Sequence, residues 1–242
     1  MNLIIDVGNT SIKFAVFDLG KLIGKIVGDI GDFDMMVAQV LKSYPKIDQA
    51  IVSSVGKLKT SHIESLKNKI TVMELSHQLK LPFMNLYATP KTLGVDRIAL
   101  VSASVKQFPD NNVLIIDAGT CITFDFINNK NEYLGGAISP GIRLRYRTLN
   151  NLTANLPLLN TQLPEDILGN STQSSIHSGG VFGVLKEIDG VIDEYVKKYS
   201  HLTVILTGGD TKFLSNQLKN SIFAHPNFLL EGLNFILEYN SQ

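Results

Sequence analysis

Apolar and polar positions along the chain first fall into short strand-like blocks. Leu3-Ile4-Ile5 runs into Asp6, and after Val7-Gly8-Asn9-Thr10 a second β-prone run extends from Ser11 to Phe17. Leu19-Gly20 then turns the chain into a third run, Lys21 to Gly28. Apolar and β-branched runs separated by Gly and Asn predict successive hairpins. Asp32 to Leu41 has helical spacing, with Asp32 at the capping position and Tyr44-Pro45 as the stop. A strand from Gln49 to Val55, a short polar helix from Thr60 to Lys69 and a strand from Ile70 to Met73 complete the order β-β-β-α-β-α-β. Ser76 to Pro90, which contains Pro82 and Tyr87, reads as a connecting loop.

The second half opens on a helix and then repeats the first. Leu93-Gly94-Val95-Asp96-Arg97 leads into a small-residue helix, Ile98 to Lys106, with an acid in its first turn, where the helix dipole favours a carboxylate. Leu114-Ile115-Ile116-Asp117-Ala118-Gly119 matches Leu3-Ile4-Ile5-Asp6-Val7-Gly8 in outline, and strands from Cys121 to Ile127 and Tyr133 to Ile138 follow. Beyond Ser139-Pro140-Gly141 a helix is expected from Ile142 to Asn150. Its Arg143, Arg145 and Arg147 point to different faces, as a solvated surface or as anion ligands. Leu152 to Leu168 is expected to be extended. Gly169-Asn170-Ser171-Thr172 then starts a long helix from Gln173 to Tyr199, whose Gly179, Gly180 and Gly183 lie on nearly one face and suit a close helix–helix seam. A strand from Leu202 to Leu206, the turn Thr207-Gly208-Gly209-Asp210 and a helix from Thr211 to Leu218 form a seat suited to a nucleotide base or ribose. Phe228 to Tyr239 is an amphipathic closing helix.

Composition narrows the classes. At 242 residues and 44% apolar content the chain can build one large core or two half-sized ones. Its formal net charge of +0 gives no electrostatic footprint for nucleic acid or an anionic membrane. No apolar run has the length of a bilayer span. The single Cys121 excludes an internal disulfide, and Asp6 interrupts the first apolar run before a secretory segment could form, so a cytoplasmic protein is expected. Cys121 lies in a strand pattern and is expected to be a buried structural thiol.

The repeated Asp-x-Gly turn carries the chemistry. Glycine leaves no side chain over the turn, so a phosphate can approach the backbone N–H groups of Gly8, Asn9 and Thr10, or of Gly119 and Thr120. A lone carboxylate beside that phosphate repels it unless a cation sits between them, so the pattern implies a metal-bridged nucleotide. The alternative is a turn whose Asp merely satisfies local amides. Asp96, with room opened by Gly94 and a guanidinium at Arg97, suits a proton acceptor beside a carboxylate-bearing substrate. It equally fits a helix cap with a surface charge.

In order and spacing, Asp6-Val7-Gly8-Asn9-Thr10-Ser11-Ile12-Lys13, Gly94-Val95-Asp96-Arg97, Asp117-Ala118-Gly119-Thr120, Gly135-Gly136-x-Ile138-x-Pro140-Gly141 and Gly169-Asn170-Ser171-Thr172 resemble the type III pantothenate kinases. These belong to the superfamily of acetate and sugar kinases, heat-shock ATPases and actin. The resemblance covers essentially the whole chain. It implies an α/β fold of two ribonuclease-H-like half-domains, each a mixed five-stranded sheet with flanking helices, in the duplicated actin-like ATPase arrangement. The halves are expected at 1–92 and 93–242, with the active site in the cleft between them.

The implied activity is ATP-dependent phosphorylation of pantothenate to 4'-phosphopantothenate, the first committed step towards coenzyme A. By the same resemblance Asp6 to Lys13 form the ATP phosphate loop and Thr120 adds a contact. Asp6 helps hold magnesium, and Asp117 binds a monovalent cation, potassium or ammonium. Gly94 to Arg97, Tyr87 and Thr172 contact pantothenate, and Asp96 is the catalytic base. A homodimer with Thr172 near the subunit boundary is also implied. Two other readings stay open: a related small-molecule kinase with another acceptor, and a nucleotide-binding accessory or regulatory protein that has lost turnover.

Overall fold

A computed structural model describes residues 1–8, 11–54 and 58–241. The chain opens with strands β1 (Asn2–Val7), β2 (Ile12–Asp18) and β3 (Lys21–Gly28), then α1 (Phe33–Ser43), β4 (Gln49–Ser54), α2 (Thr60–Lys67) and β5 (Thr71–Glu74). The two-residue strand β6 (Met84–Asn85) lies within the expected loop and is followed by α3 (Val95–Gln107). Next come β7 (Asn112–Ala118), β8 (Cys121–Ile127), β9 (Glu132–Pro140) and α4 (Ile142–Asn151). After an extended stretch, α5 (Thr172–His177) passes through a π turn at Ser178–Phe182 into α6 (Gly183–Lys198). The chain ends with β10 (Leu202–Thr207), α7 (Thr211–Ser215), a two-residue β11 (Phe223–Ala224) and α8 (Phe228–Asn240).

The first sheet has the order β3-β2-β1-β4-β5. Its hairpins β1–β2 and β2–β3 are antiparallel, and β4 and β5 add in parallel. The turn from β2 to β3 uses positive φ at both Leu19 and Gly20, the twist that joins adjacent antiparallel strands tightly. The second sheet runs β11-β10-β7-β8-β9-β6. Its first five strands, read as β9-β8-β7-β10-β11, repeat the order of the first sheet, with an antiparallel β7–β8 hairpin and parallel β10 and β11. The sixth strand goes beyond the expected five.

Every residue of β1 is buried, so the strand is covered on both faces. Leu3, Ile5 and Val7 join Phe14, Phe33, Val37 and Val52 in one core, while Asn2, Ile4 and Asp6 alternate onto the other face. On that face Asn2 Nδ2 donates to Asn234 Oδ1 of α8 at 2.8 Å, and Gln49 Nε2 donates to Asn2 Oδ1 at 2.8 Å. Helix α1 begins where expected, but the Asp32 side chain makes no capping bond. Its backbone already ends a 3-10 turn, at φ −91° and ψ 7°, and lacks the extended geometry of a capping residue.

The chain divides into two compact units. One comprises Met1–Asp110, Asn129–Leu134 and Asn227–Gln242; the other comprises Asn111–Asn128 and Gly135–Pro226. The units therefore do not divide at residues 92 and 93, because α3 and α8 both belong to the first. Helix α8 packs on β1 and β4 and crosses α3 where Gly232 meets the Ala99 carbonyl, so the last element of the sequence returns to the first sheet. In the second unit, β7 and β8 pack with α4, α5, α6 and α7 around Phe124, Tyr146, Val184, Ile188 and Leu206.

Candidate active site

The first hairpin sets Asp6 directly across from Lys13 in the β1–β2 register, and Lys13 Nζ lies 3.0 Å from Asp6 Oδ2. Asp6 is 5% exposed. Burial pushes its carboxyl above the usual range, against the pull of the Lys13 ammonium, and nearby Asp96 pushes it the same way. Asp96 therefore stands near enough to Asp6 to act on its charge. Gly8 N donates to Ser11 O at 3.0 Å and closes the turn. Val7 and Ile12, expected in the phosphate loop, turn their side chains into the core, because strand alternation sends them to the face opposite Asp6 and Lys13. They can meet a ligand only through backbone. Asn9 and Thr10, expected in the same loop, lie outside the described residues.

Helix α3 carries the next group. Asp96 sits in its first turn, and Asp96 Oδ1 accepts from Arg97 N at 2.9 Å. The carboxylate folds back over Gly94 so closely that a Cβ there would collide with Oδ1 unless the Asp96 side chain turned aside. Arg97 is buried, with its guanidinium 5.6 Å from the centroid of the Tyr87 ring. Tyr87 in turn meets Tyr133 with centroids 6.0 Å apart. Tyr87, Gly94, Asp96 and Arg97, singled out separately along the sequence, thus form one cluster, with Val95 half-buried between them.

In the second unit Asp117 pairs with Thr207 in the parallel β7–β10 register. Its Oδ1 lies against Gly208, whose φ of +95° and lack of a side chain leave the carboxylate its place. Gly141 N donates to Thr120 O at 3.0 Å, and a Cβ on Gly141 would collide with the Gly119 carbonyl, so the start of α4 backs the second hairpin turn. Thr120 is exposed. Cys121, expected to be buried, is exposed because it is the first residue of β8 beside that turn and not an interior strand position. Thr172 is exposed at the first position of α5, where Ser171 and Ser174 form the capping box.

Two of the three arginines on α4 have acid partners: Arg143 holds Asp210, and Arg145 pairs with Glu187. Sequence spacing carries no signal for these pairings across separate elements. The Asp6–Lys13 pair, by contrast, was within reach of hairpin arithmetic, since pairing Val7 with Ile12 sets 6 across from 13.

Among the described residues no group of three or more His, Cys, Asp or Glu gathers as a metal cage. A magnesium ion bound with a nucleotide takes only one or two protein carboxylates alongside the phosphates. The desolvated Asp6 fits that demand.

The duplicated sheet order, with an acid and a glycine turn at the end of β1 and of β7, is that of the actin-like ATPase fold. At 12% identity, the activator of 2-hydroxyisocaproyl-CoA dehydratase from Clostridium difficile with bound ADPNP shares the fold at a TM-score of 0.55, covering 99% of this chain and 93% of the other. A Campylobacter jejuni protein assigned provisionally to the Baf family of transcriptional activators is similar at a TM-score of 0.64 and 25% identity, over 99% and 98%. Residues 2–194 match the model of the type III pantothenate kinases. Relatives of that description from Christiangramia forsetii and Flavobacterium johnsoniae are 51% and 48% identical, covering 99% of this chain in each case and 99% and 98% of their own lengths. The chain belongs to the type III pantothenate kinase family, enzymes that phosphorylate pantothenate in coenzyme A biosynthesis.

Proposed function

We propose that the chain transfers the γ-phosphoryl group of ATP to the terminal hydroxyl of pantothenate, with Asp96 as the base that accepts the hydroxyl proton. The observation that carries this reading is the nearness of Asp96 to the buried Asp6 and its Lys13 partner. Phosphoryl transfer is mainly a matter of positioning and charge neutralisation, and this set supplies a proton acceptor, a metal-binding acid and a cation. Magnesium bound with the nucleotide neutralises phosphate charge. Lys13 donates to phosphate oxygens, and the backbone around Gly8 and Ser11, with Asn9 and Thr10, forms the phosphate loop. Asp6 is the magnesium ligand. Asp96 stands in the first turn of α3. Arg97, held over Tyr87, pairs the substrate carboxylate, and Gly94 and Val95 line that wall.

Thr120 contributes a nucleotide contact, and Asp117 holds a monovalent cation, potassium or ammonium. The half-exposed position of Asp117 over Gly208 supports that role. Thr172, exposed on α5, contacts pantothenate in a homodimer. The requirement for ATP supports a cytoplasmic setting. Among the described residues no helix is long and apolar enough to cross a membrane.

A coupled ADP-release assay with pantothenate, run with and without potassium or ammonium, tests the reading. Wild type should turn over, and faster with the cation. Asp96→Asn should lose about 10²–10⁴-fold in kcat, the usual worth of a positioned base, while ATP affinity by calorimetry stays within twofold. Turnover of Asp96→Asn near the wild-type rate would remove the base. ATP binding without transfer in the wild type would instead favour the regulatory reading, and transfer to another alcohol a related kinase.

A further inference from the structure

The helix α4 begins at the second hairpin and reaches the Gly-Gly-Asp turn after β10. Arg143 Nη1 donates to Asp210 Oδ1 at 2.7 Å and Nη2 to Asp210 Oδ2 at 3.1 Å, a two-pronged pair. Asp210 is 6% exposed, whereas the Arg143 side chain is about half exposed, so the arginine lies over the acid from the solvent side. Asp210 N donates to Ala118 O at 2.9 Å, which ties the turn to the strand that carries Asp117. One residue before Arg143's own helix, Gly141 N holds Thr120 O. The first turn of α4 therefore grips both loops that flank Asp117.

A carboxylate as buried as Asp210 needs a counter-charge, and the partner it takes also sets what this turn presents to an anion. An unpaired carboxylate in this turn would stand beside Asp117 and repel a polyanion approaching the open backbone of Gly208 and Gly209. We propose that Arg143 is a positioning residue for ATP: it neutralises Asp210 and fixes the Gly208-Gly209-Asp210 turn. The proposal rests on the reading of that turn as a nucleotide seat. It gives Arg143 no contact with pantothenate.

The test is the Michaelis constants for ATP and pantothenate, with melting temperature, in Arg143→Ala, Arg143→Ala with Asp210→Asn, and Gly209→Leu. Arg147→Ala, at an exposed position on the same helix, serves as the control. Hydrogen bonds to charged groups of this kind are worth enough that Arg143→Ala should raise the ATP constant roughly tenfold while that for pantothenate stays within twofold. Adding Asp210→Asn should recover much of the loss, because the uncompensated charge is gone. Among the described residues a Cβ on Gly209 would come within 4 Å only of Arg143 Nη2, at 3.9 Å, so a side chain at 209 starts from the turn face with no backbone in its way, and the melting temperature reports whether the fold holds. A rise in the ATP constant for Gly209→Leu but not for Arg143→Ala would overturn the role of Arg143 alone. No change in either would overturn the nucleotide seat and the proposal with it. A lowered melting temperature with both constants unchanged in Arg143→Ala would reduce the pair to a structural tie.

Discussion

At the scale of single residues, Asp6 is a group whose placement opposes its own chemistry. Burial raises its pKa above 3.8, so between that value and the raised one the folded chain holds the proton more tightly than the unfolded chain. Stability from this group is complete below the unfolded pKa and is lost as pH climbs through the folded pKa. Asp6→Asn cannot ionise and avoids that loss. Its melting temperature relative to wild type should therefore rise as pH is raised from about 4 through this window, and then level off. Phosphorylation should nonetheless be lost, since the amide cannot hold magnesium. Thermal scans across pH check the first expectation and the ADP-release assay the second. A relative melting temperature that falls with rising pH would mean that Lys13 stabilises the carboxylate by more than burial costs it. Binding sites keep such destabilised groups because the ligand supplies the missing charge.

At the scale of elements, the helix α3 has one face buried against α8 and its first turn in the site. The two meet where Gly232 lies against Ala99, and a Cβ on Gly232 would collide with the Ala99 carbonyl, which is backbone and cannot swing away. Gly232→Ala should thus force the helices apart. Overpacking of this kind costs about 1–3 kcal/mol, and a chain of this size loses roughly 2–4 °C per kcal/mol. Because α3 carries Asp96, kcat should fall with the melting temperature, and more steeply than ATP affinity. A variant with the wild-type melting temperature and kcat would show that the crossing is slack.

Strands and most helices of this architecture were legible from periodicity, since β1 and β7 are buried runs and α8 is a long amphipathic stretch. The π turn at Ser178–Phe182 was not. Continuous helical spacing from Gln173 to Tyr199 hides one altered turn, in which Gly180 faces the ring of Tyr146. A Cβ on Gly179, read as part of a seam, would meet nothing within 4 Å beyond its own helix backbone and chain neighbours among the described residues. The partners of Arg143 and Arg145 and the return of α8 to the first sheet depend on tertiary packing, which local pattern does not encode.

For the whole molecule, duplication explains why two short motifs revealed so much: β1 and β7 hold corresponding places in the two sheet orders and each carries an acid one residue before its end, so one hairpin predicts the other. What duplication leaves unexplained is the stretch between α4 and α5. Leu152, Leu158, Ile167 and Leu168 are 79%, 59%, 66% and 80% exposed along it, in a segment without regular structure. This segment is where the second copy of the proposed homodimer is expected to sit. The segment leads directly into Thr172, so a second copy seated there would bring a neighbour to the proposed pantothenate contact. Sedimentation at micromolar concentration should then give twice the 26.6 kDa of the chain. Replacing Ile167 and Leu168 by Asp should shift it to monomer and raise the Michaelis constant for pantothenate, with that for ATP little changed. A wild-type chain that sediments as a monomer would remove the dimer, and a monomeric variant with unaltered pantothenate kinetics would separate Thr172 from the interface.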